Sequence, residues 1–168
     1  MLNPALALAL PLAQAPTHAL ADHAAAQACS LAPVIPAELA GWEMMAPVVA
    51  GAAPATIRIG QGARATLVPG ASVTYAPAPA KPGATGTSGG VFVFDVATAG
   101  RYRVALGAGA WIDVVRGNQA VASIAHGHGP ACSPVKKTVD FDLTPDRYRL
   151  QVAGSPVATL PLMIASLR

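Results

Sequence analysis

From Ala55 onward the apolar residues of this chain come in short runs, each closed by glycine, proline, asparagine or a Thr-Pro-Asp turn. The clearest run is Val135 to Leu143. Val135, Lys137, Val139, Phe141 and Leu143 share one face of an extended chain, and Lys136, Thr138, Asp140 and Asp142 share the other. A period of two suits a strand with one buried face and cannot lay an apolar stripe along a helix. The same grammar recurs in Ala63–Val68, Ser72–Tyr75, Val91–Val96, Arg101–Leu106, Ala110–Val115, Ala120–Ala125, Tyr148–Val152 and Leu160–Ile164, with a shorter run at Thr56–Ile59. Short, evenly spaced strands with turn residues between them predict an all-β fold, an antiparallel β-sandwich of jelly-roll type, over residues 55–168. Pro161 lacks an N–H for a ladder, which places the last strand at an edge or on a bulge. The segment Pro77–Gly89 has no apolar period and reads as a long loop.

Ahead of this domain the pattern changes twice. Met1 to Ala21 carries no charged residue, and its run Ala5–Ala13 is too short to span a bilayer as a helix. Followed by Ala19-Leu20-Ala21, it reads as a signal peptide, residues 1–21, although no Lys or Arg precedes the apolar run. The expected location is therefore outside the cytoplasm, periplasmic or extracellular, without a transmembrane span. Residues 22–54 form a Pro/Ala-rich arm, broken by Pro33, Pro36, Pro47 and Pro54, in which Trp42 is expected to dock on the domain. Two cysteines, Cys29 in the arm and Cys132 in the domain, suggest a disulfide in an exported protein. Closing a loop of about a hundred residues stabilises by roughly 4–5 kcal/mol in the chain-entropy model.

Composition narrows the classes of partner. Charged residues are 11% of the chain and the formal net charge is +3. The bases are scattered, with no dense basic block for a phosphate backbone, so nucleic acid is not an expected partner. Aromatics are 5%, so the core rests on Val, Ile, Leu and a few rings.

The stretches GVFVFDVATAGRYRVALG, AWIDVVRGNQAV and KTVDFDLTPDRYRLQVAG resemble those of secreted jelly-roll modules, namely carbohydrate-binding modules, domains that follow secreted bacterial peptidases, and PA14-like domains. In those, a strand passes through a Gly turn to a Y-x-V strand, a D-V strand presents a G-N hairpin, and a G-x-Y-x-L strand closes the sheet. Asp146-Arg147 stands where that last glycine would be. From ELAGW through GAWIDVV and HGHGPAC to LPLMIA, the chain is also similar to small exported bacterial proteins, some of which bear the label homogentisate 1,2-dioxygenase. That label implies Fe(II) held by two histidines and a glutamate. The glutamates of this chain are Glu38 and Glu43, both in the Pro-rich arm.

The stretch His126–Pro134, HGHGPACSP, admits two readings. On a strand end, His126 and His128 lie on one side and could grip a single Zn, Cu or Fe ion, with Cys132, Asp113, Asp140 or Asp142 as further donors. Alternatively Gly127, Gly129 and Pro130 make a surface turn, Cys132 is held in a disulfide, and no cofactor is present. Asp140 and Asp142 are expected to face solvent. Nucleophile elbows and dinucleotide fingerprints are missing: Ser88-Gly89-Gly90 is not G-x-S-x-G, and neither Gly60-x-Gly62 nor Gly107-x-Gly109 has the third glycine. The reading that follows is a non-enzymatic binding domain for a small molecule, glycan or envelope protein. Its candidate contacts are the Ala80–Gly90 loop, Trp111, Asp113, Asn118 and the His126–Pro134 loop. The alternative is a metal protein or dioxygenase-like enzyme using His126 and His128.

Overall fold

A computed structural model describes residues 34–167. The expected signal peptide, residues 1–21, the first part of the expected arm and Cys29 lie outside the described residues. The strands are β1 (Ala46–Val49), β2 (Ala55–Thr56), β3 (Gly62–Thr66), β4 (Val68–Pro69), β5 (Ser88–Val96), β6 (Gly100–Leu106), β7 (Trp111–Arg116), β8 (Gln119–Ala120), β9 (Ala125–Gly127), β10 (Lys137–Leu143), β11 (Asp146–Ser155) and β12 (Thr159–Leu167). They form two six-stranded sheets packed as a sandwich. The first runs β1-β3-β12-β6-β10-β9; the second runs β2-β5-β11-β7-β8, with β4 also on β5. No helix among the described residues is long and apolar enough to cross a membrane.

The sheets are mixed rather than purely antiparallel, which corrects the sequence expectation. β1 runs parallel to β3 and β2 runs parallel to β5, while the other pairings are antiparallel. Both parallel strands come from short Pro-flanked pieces that reach an edge by a crossover, not by a hairpin. Residues 37–49 of the expected arm therefore belong to the sandwich, as a 3-10 segment (Ala37–Glu43) and as edge strand β1.

Alternation set the inner faces. Phe92, Phe94 and Val96 on β5, Tyr102, Val104 and Leu106 on β6, Val139, Phe141 and Leu143 on β10, and Tyr148, Leu150 and Val152 on β11 meet in one core. Phe94 and Tyr148 are cross-strand partners, stacked at 5.6 Å between ring centroids. The Tyr148 hydroxyl donates to the Thr144 carbonyl at 2.9 Å, satisfying its polar end at the β10–β11 turn.

The outer face of the first sheet is covered as well. Ala105, Met163 and Ala165 alternate with core residues on β6 and β12, and they pack against Leu39 and Trp42 of the 3-10 segment. Trp42 is only 3% exposed, the docked position expected for it. The approach is close enough that a Cβ on Gly41 would lie 2.0 Å from the Gly60 carbonyl oxygen. Beneath this cover Asp140 is 4% exposed, against the expectation that it faces solvent. Its cross-strand partner Arg103 donates Nε to Oδ1 at 2.8 Å and Nη2 to Oδ2 at 2.9 Å, while Nη1 reaches Glu38 at 2.5 Å. The bidentate fork is what permits a carboxylate there. Asp142 does face solvent, 3.5 Å from Arg101.

Three further expectations change. Ser72–Tyr75 is not a strand, because Ser72 Oγ donates back to the Pro69 carbonyl at 2.7 Å and closes a 3-10 turn over Gly70–Ser72. Ala120–Ala125 divides between β8 and β9, in different sheets. β12 is central, between β3 and β6, despite Pro161. The β6 ladder ends at Leu162↔Leu106, and past it the Gly107 N–H donates to the Pro161 carbonyl at 2.8 Å, so the missing N–H costs no strand bond.

Candidate functional site

The site forms where the second sheet is left unfinished. β8 pairs with β7 only at Val115 and Arg116, and one further bond joins the Val121 N–H to the Val114 carbonyl. Toward Trp111 that edge of β7 has no covering strand among the described residues. Lys137, the charge in the apolar register of β10, takes up the free edge: its Nζ donates to the Ala110 carbonyl at 2.5 Å. An ammonium on an exposed edge also discourages pairing with another chain. Around this opening lies a cleft of about 560 Å³. Val139 and Phe141 are on its inner side, Val121, Ser123 and His126 on the β8–β9 connection and β9, and Trp111 and Asp113 on β7, with Lys81 reaching in from the loop that follows β4. The volume lies within the range of about 300–1,000 Å³ usual for small-molecule sites. Two other clefts of similar size, about 570 and 650 Å³, lie over β5/β11 and along the 70–87 loop; neither includes Trp111, Asp113 or His126.

Trp111 and Asp113 are two apart on β7 and so share a side. The indole Nε1–H lies 3.0 Å from both carboxylate oxygens of Asp113. Burial pushes the Asp113 carboxyl above its ordinary range, and the indole N–H partly offsets this. Lys81 Nζ lies 5.1 Å and Lys137 Nζ 5.6 Å from the Trp111 ring centroid, so two ammonium groups sit against one indole. Burial lowers the Lys137 amine below its usual range, and the charge of Lys81 lowers it further.

Lys81 sits on a mostly exposed stretch without an apolar period, yet the loop is anchored at several points. Gln151, 1% exposed on β11, accepts the Ala76 N–H at 2.8 Å and donates to the Pro77 carbonyl at 3.0 Å. The Tyr75 hydroxyl donates to the Val152 carbonyl at 2.9 Å, and Arg149 Nη2 donates to the Ala76 carbonyl at 2.8 Å. Gly83 and Gly154, at φ +91° and +68°, pass so close that a Cβ on Gly83 would lie 2.3 Å from the Gly154 Cα.

Of the residues predicted as contacts, Trp111, Asp113 and His126 are brought together here. Asn118 is not among the lining residues; on the β7–β8 turn its Oδ1 is 3.4 Å from Arg149 Nη2. His128 also lies outside the cleft lining, with Nδ1 2.9 Å from the Lys136 carbonyl oxygen. Lys81 lies in the Ala80–Gly90 loop expected to make contacts, although it was not singled out there, and sequence reading missed Lys137. Lys137 had a signal, a charge at an apolar position of the best alternating strand, and Lys81 is the one charged residue in Pro77–Gly89.

The side chains do not fit a mononuclear iron site of the two-histidine, one-glutamate kind. Glu38 is engaged by Arg103, and Glu43 belongs to the same 3-10 segment on the outer face of the first sheet. Asp140 is held by Arg103 and Asp113 by Trp111. No group of three or more His, Cys, Asp or Glu that could hold a metal occurs among the described residues. Cys132, at φ +61°, is not free, and Cys29, the disulfide partner expected from the sequence, lies outside the described residues. A scan against protein-family models finds no match for this chain, and a search of curated proteins finds no significant match.

Proposed function

We propose that this chain is an exported, non-enzymatic β-sandwich of the jelly-roll kind, and that the Trp111 cleft binds a small ligand. The observation that carries the reading is the Trp111–Asp113 pair: a half-buried indole whose N–H is bound to a half-buried carboxylate, at the open edge of β7. A flat apolar surface with a few fixed polar groups beside it is the usual makeup of a small-molecule site. Strand and sheet elements on either side hold it in place, and a site built on such elements is better ordered than one on loops.

The test is a small-molecule screen by NMR with the indole N–H of Trp111 as reporter; Trp42, buried under the 3-10 segment, is the internal control. Ligands should shift the Trp111 signal and leave that of Trp42. Trp111→Ala should weaken binding by at least about tenfold, the scale expected for losing a buried aromatic contact. Binding unchanged in Trp111→Ala places the ligand elsewhere and removes the proposal.

Export and the Cys29–Cys132 disulfide form part of the same reading. Protein recovered from an exporting host without reductant should have an intact mass that begins at Asp22 and lacks two hydrogens relative to the dithiol. A full-length chain with both thiols alkylated would contradict it.

A further inference from the structure

Resting on the reading of the Trp111 cleft as a binding site, we infer that its ligand is a small organic acid: one ring lies along the indole and a carboxylate bridges Lys81 and Lys137. Three observations converge on this. First, both ammonium groups point at the same indole, at 5.1 and 5.6 Å from its centroid, and among the described residues neither forms an ion pair. Lys137 spends one hydrogen on the Ala110 carbonyl, and Lys81 makes no hydrogen bond among the described residues. Second, the one acid lining the cleft is Asp113, and both its oxygens are turned to the Trp111 N–H. The two ammonium groups outnumber this carboxylate, and among the described residues neither is paired with it. Third, bringing two like charges together is unfavourable: burial lowers the Lys137 amine most, and the nearby charge of Lys81 lowers it further. Even so, the loop that brings Lys81 here is anchored by Gln151, Tyr75, Arg149 and the Gly83–Gly154 contact. An anion between the two ammonium groups would turn that repulsion into attraction.

The remaining lining sets the rest of the ligand. Val121, Val139 and Phe141 offer apolar surface beside the indole, which suits a ring and gives inorganic anions nothing to bury. His126, exposed on β9, borders the same space and can donate to a second oxygen.

Matched pairs of probes isolate the charge: benzoate against benzyl alcohol, and glucuronate against glucose, with sulfate as the ring-free anion. Titrations are read by calorimetry and by the Trp111 indole signal. At least one acid should bind about tenfold or more tightly than its neutral partner, the scale of one charge-assisted hydrogen bond. Raising the salt concentration should weaken that acid. Lys81→Met and Lys137→Met should each remove most of the difference while leaving the neutral probe unchanged. Lys137→Met also uncaps the β7 edge, so Lys81→Met, at an exposed side chain, is the decisive variant. If neutral probes shift the Trp111 signal as strongly as acids and Lys81→Met has no effect, the acid assignment fails and the cleft remains a binding site. Sulfate binding as tightly as the organic acids would overturn the role of the ring. If no probe reaches Trp111 at millimolar concentration, the acid assignment falls together with the reading it rests on.

Discussion

Asp140→Ala should destabilise the folded chain by about 3 kcal/mol, the low end of what breaking a buried ion pair costs. Asp140 is 4% exposed and takes both forks of the Arg103 guanidinium. Removing it leaves Arg103 beneath the 3-10 segment with Glu38 as its remaining carboxylate. The guanidinium is partly exposed, so water and Glu38 recover some of the loss, which is why the low end applies. In a domain of this size the melting temperature should fall by roughly 10 °C. The damage should also be local at first. With Asp140 gone, the Arg103–Glu38 contact loses its fixed orientation and the cover over Ala105, Met163 and Ala165 loosens. In a Trp111→Phe background, where Trp42 is the single tryptophan left, quenching of Trp42 by acrylamide should rise well below the melting temperature. The double variant Arg103→Leu, Asp140→Leu should recover much of the stability, because no unpaired charge is then buried. A loss under about 1 kcal/mol in Asp140→Ala would mean the fork is a surface pair in all but name.

This pair also shows why part of the fold could be read from sequence and part could not. Val139, Phe141 and Leu143 declared their buried face through a period of two, and the structure places them in the core. The opposite face of the same strand looked solvated because its residues are Thr and Asp. Alternation identifies which face is apolar; it does not say whether a distant segment will cover the other. That cover comes from Ala37–Glu43, where Pro33 and Pro36 made a loose arm the natural reading. The parallel pairing of β1 with β3 was illegible for a related reason: a hairpin announces itself by its turn, and a crossover does not. Pro161 was read correctly as a missing donor but placed wrongly, because where the neighbouring ladder stops is a tertiary fact. At the site, Trp111 and Asp113 follow from strand spacing alone. His126 joins them only because β9 pairs with β10, and Lys81 only because its loop is pinned across β11.

The pin itself carries the second large effect. Gln151→Leu should cost about 2 kcal/mol, since Leu keeps the volume but removes two part-buried hydrogen bonds, to the Ala76 N–H and the Pro77 carbonyl, each worth about 1 kcal/mol. Gln151 sits directly across from Asp113 in the β11–β7 register, so the residue that holds the loop is a cross-strand neighbour of the site. The Ala76 amide, now protected by Gln151 Oε1, should exchange with solvent far faster in the variant, while amides of β6 and β12 in the other sheet keep their protection. Tyr75 and Arg149 retain their bonds to the loop, so it should loosen rather than detach. Lys81 follows Ala76 and Pro77 by only a few residues, and a looser loop no longer holds its ammonium at the indole. Organic-acid binding in Gln151→Leu should therefore drop toward the level of Lys81→Met, with affinity for the neutral probes nearly unchanged. Faster exchange at Ala76 with undiminished acid binding would separate the loop from the site and show that Lys81 finds the indole without the anchor.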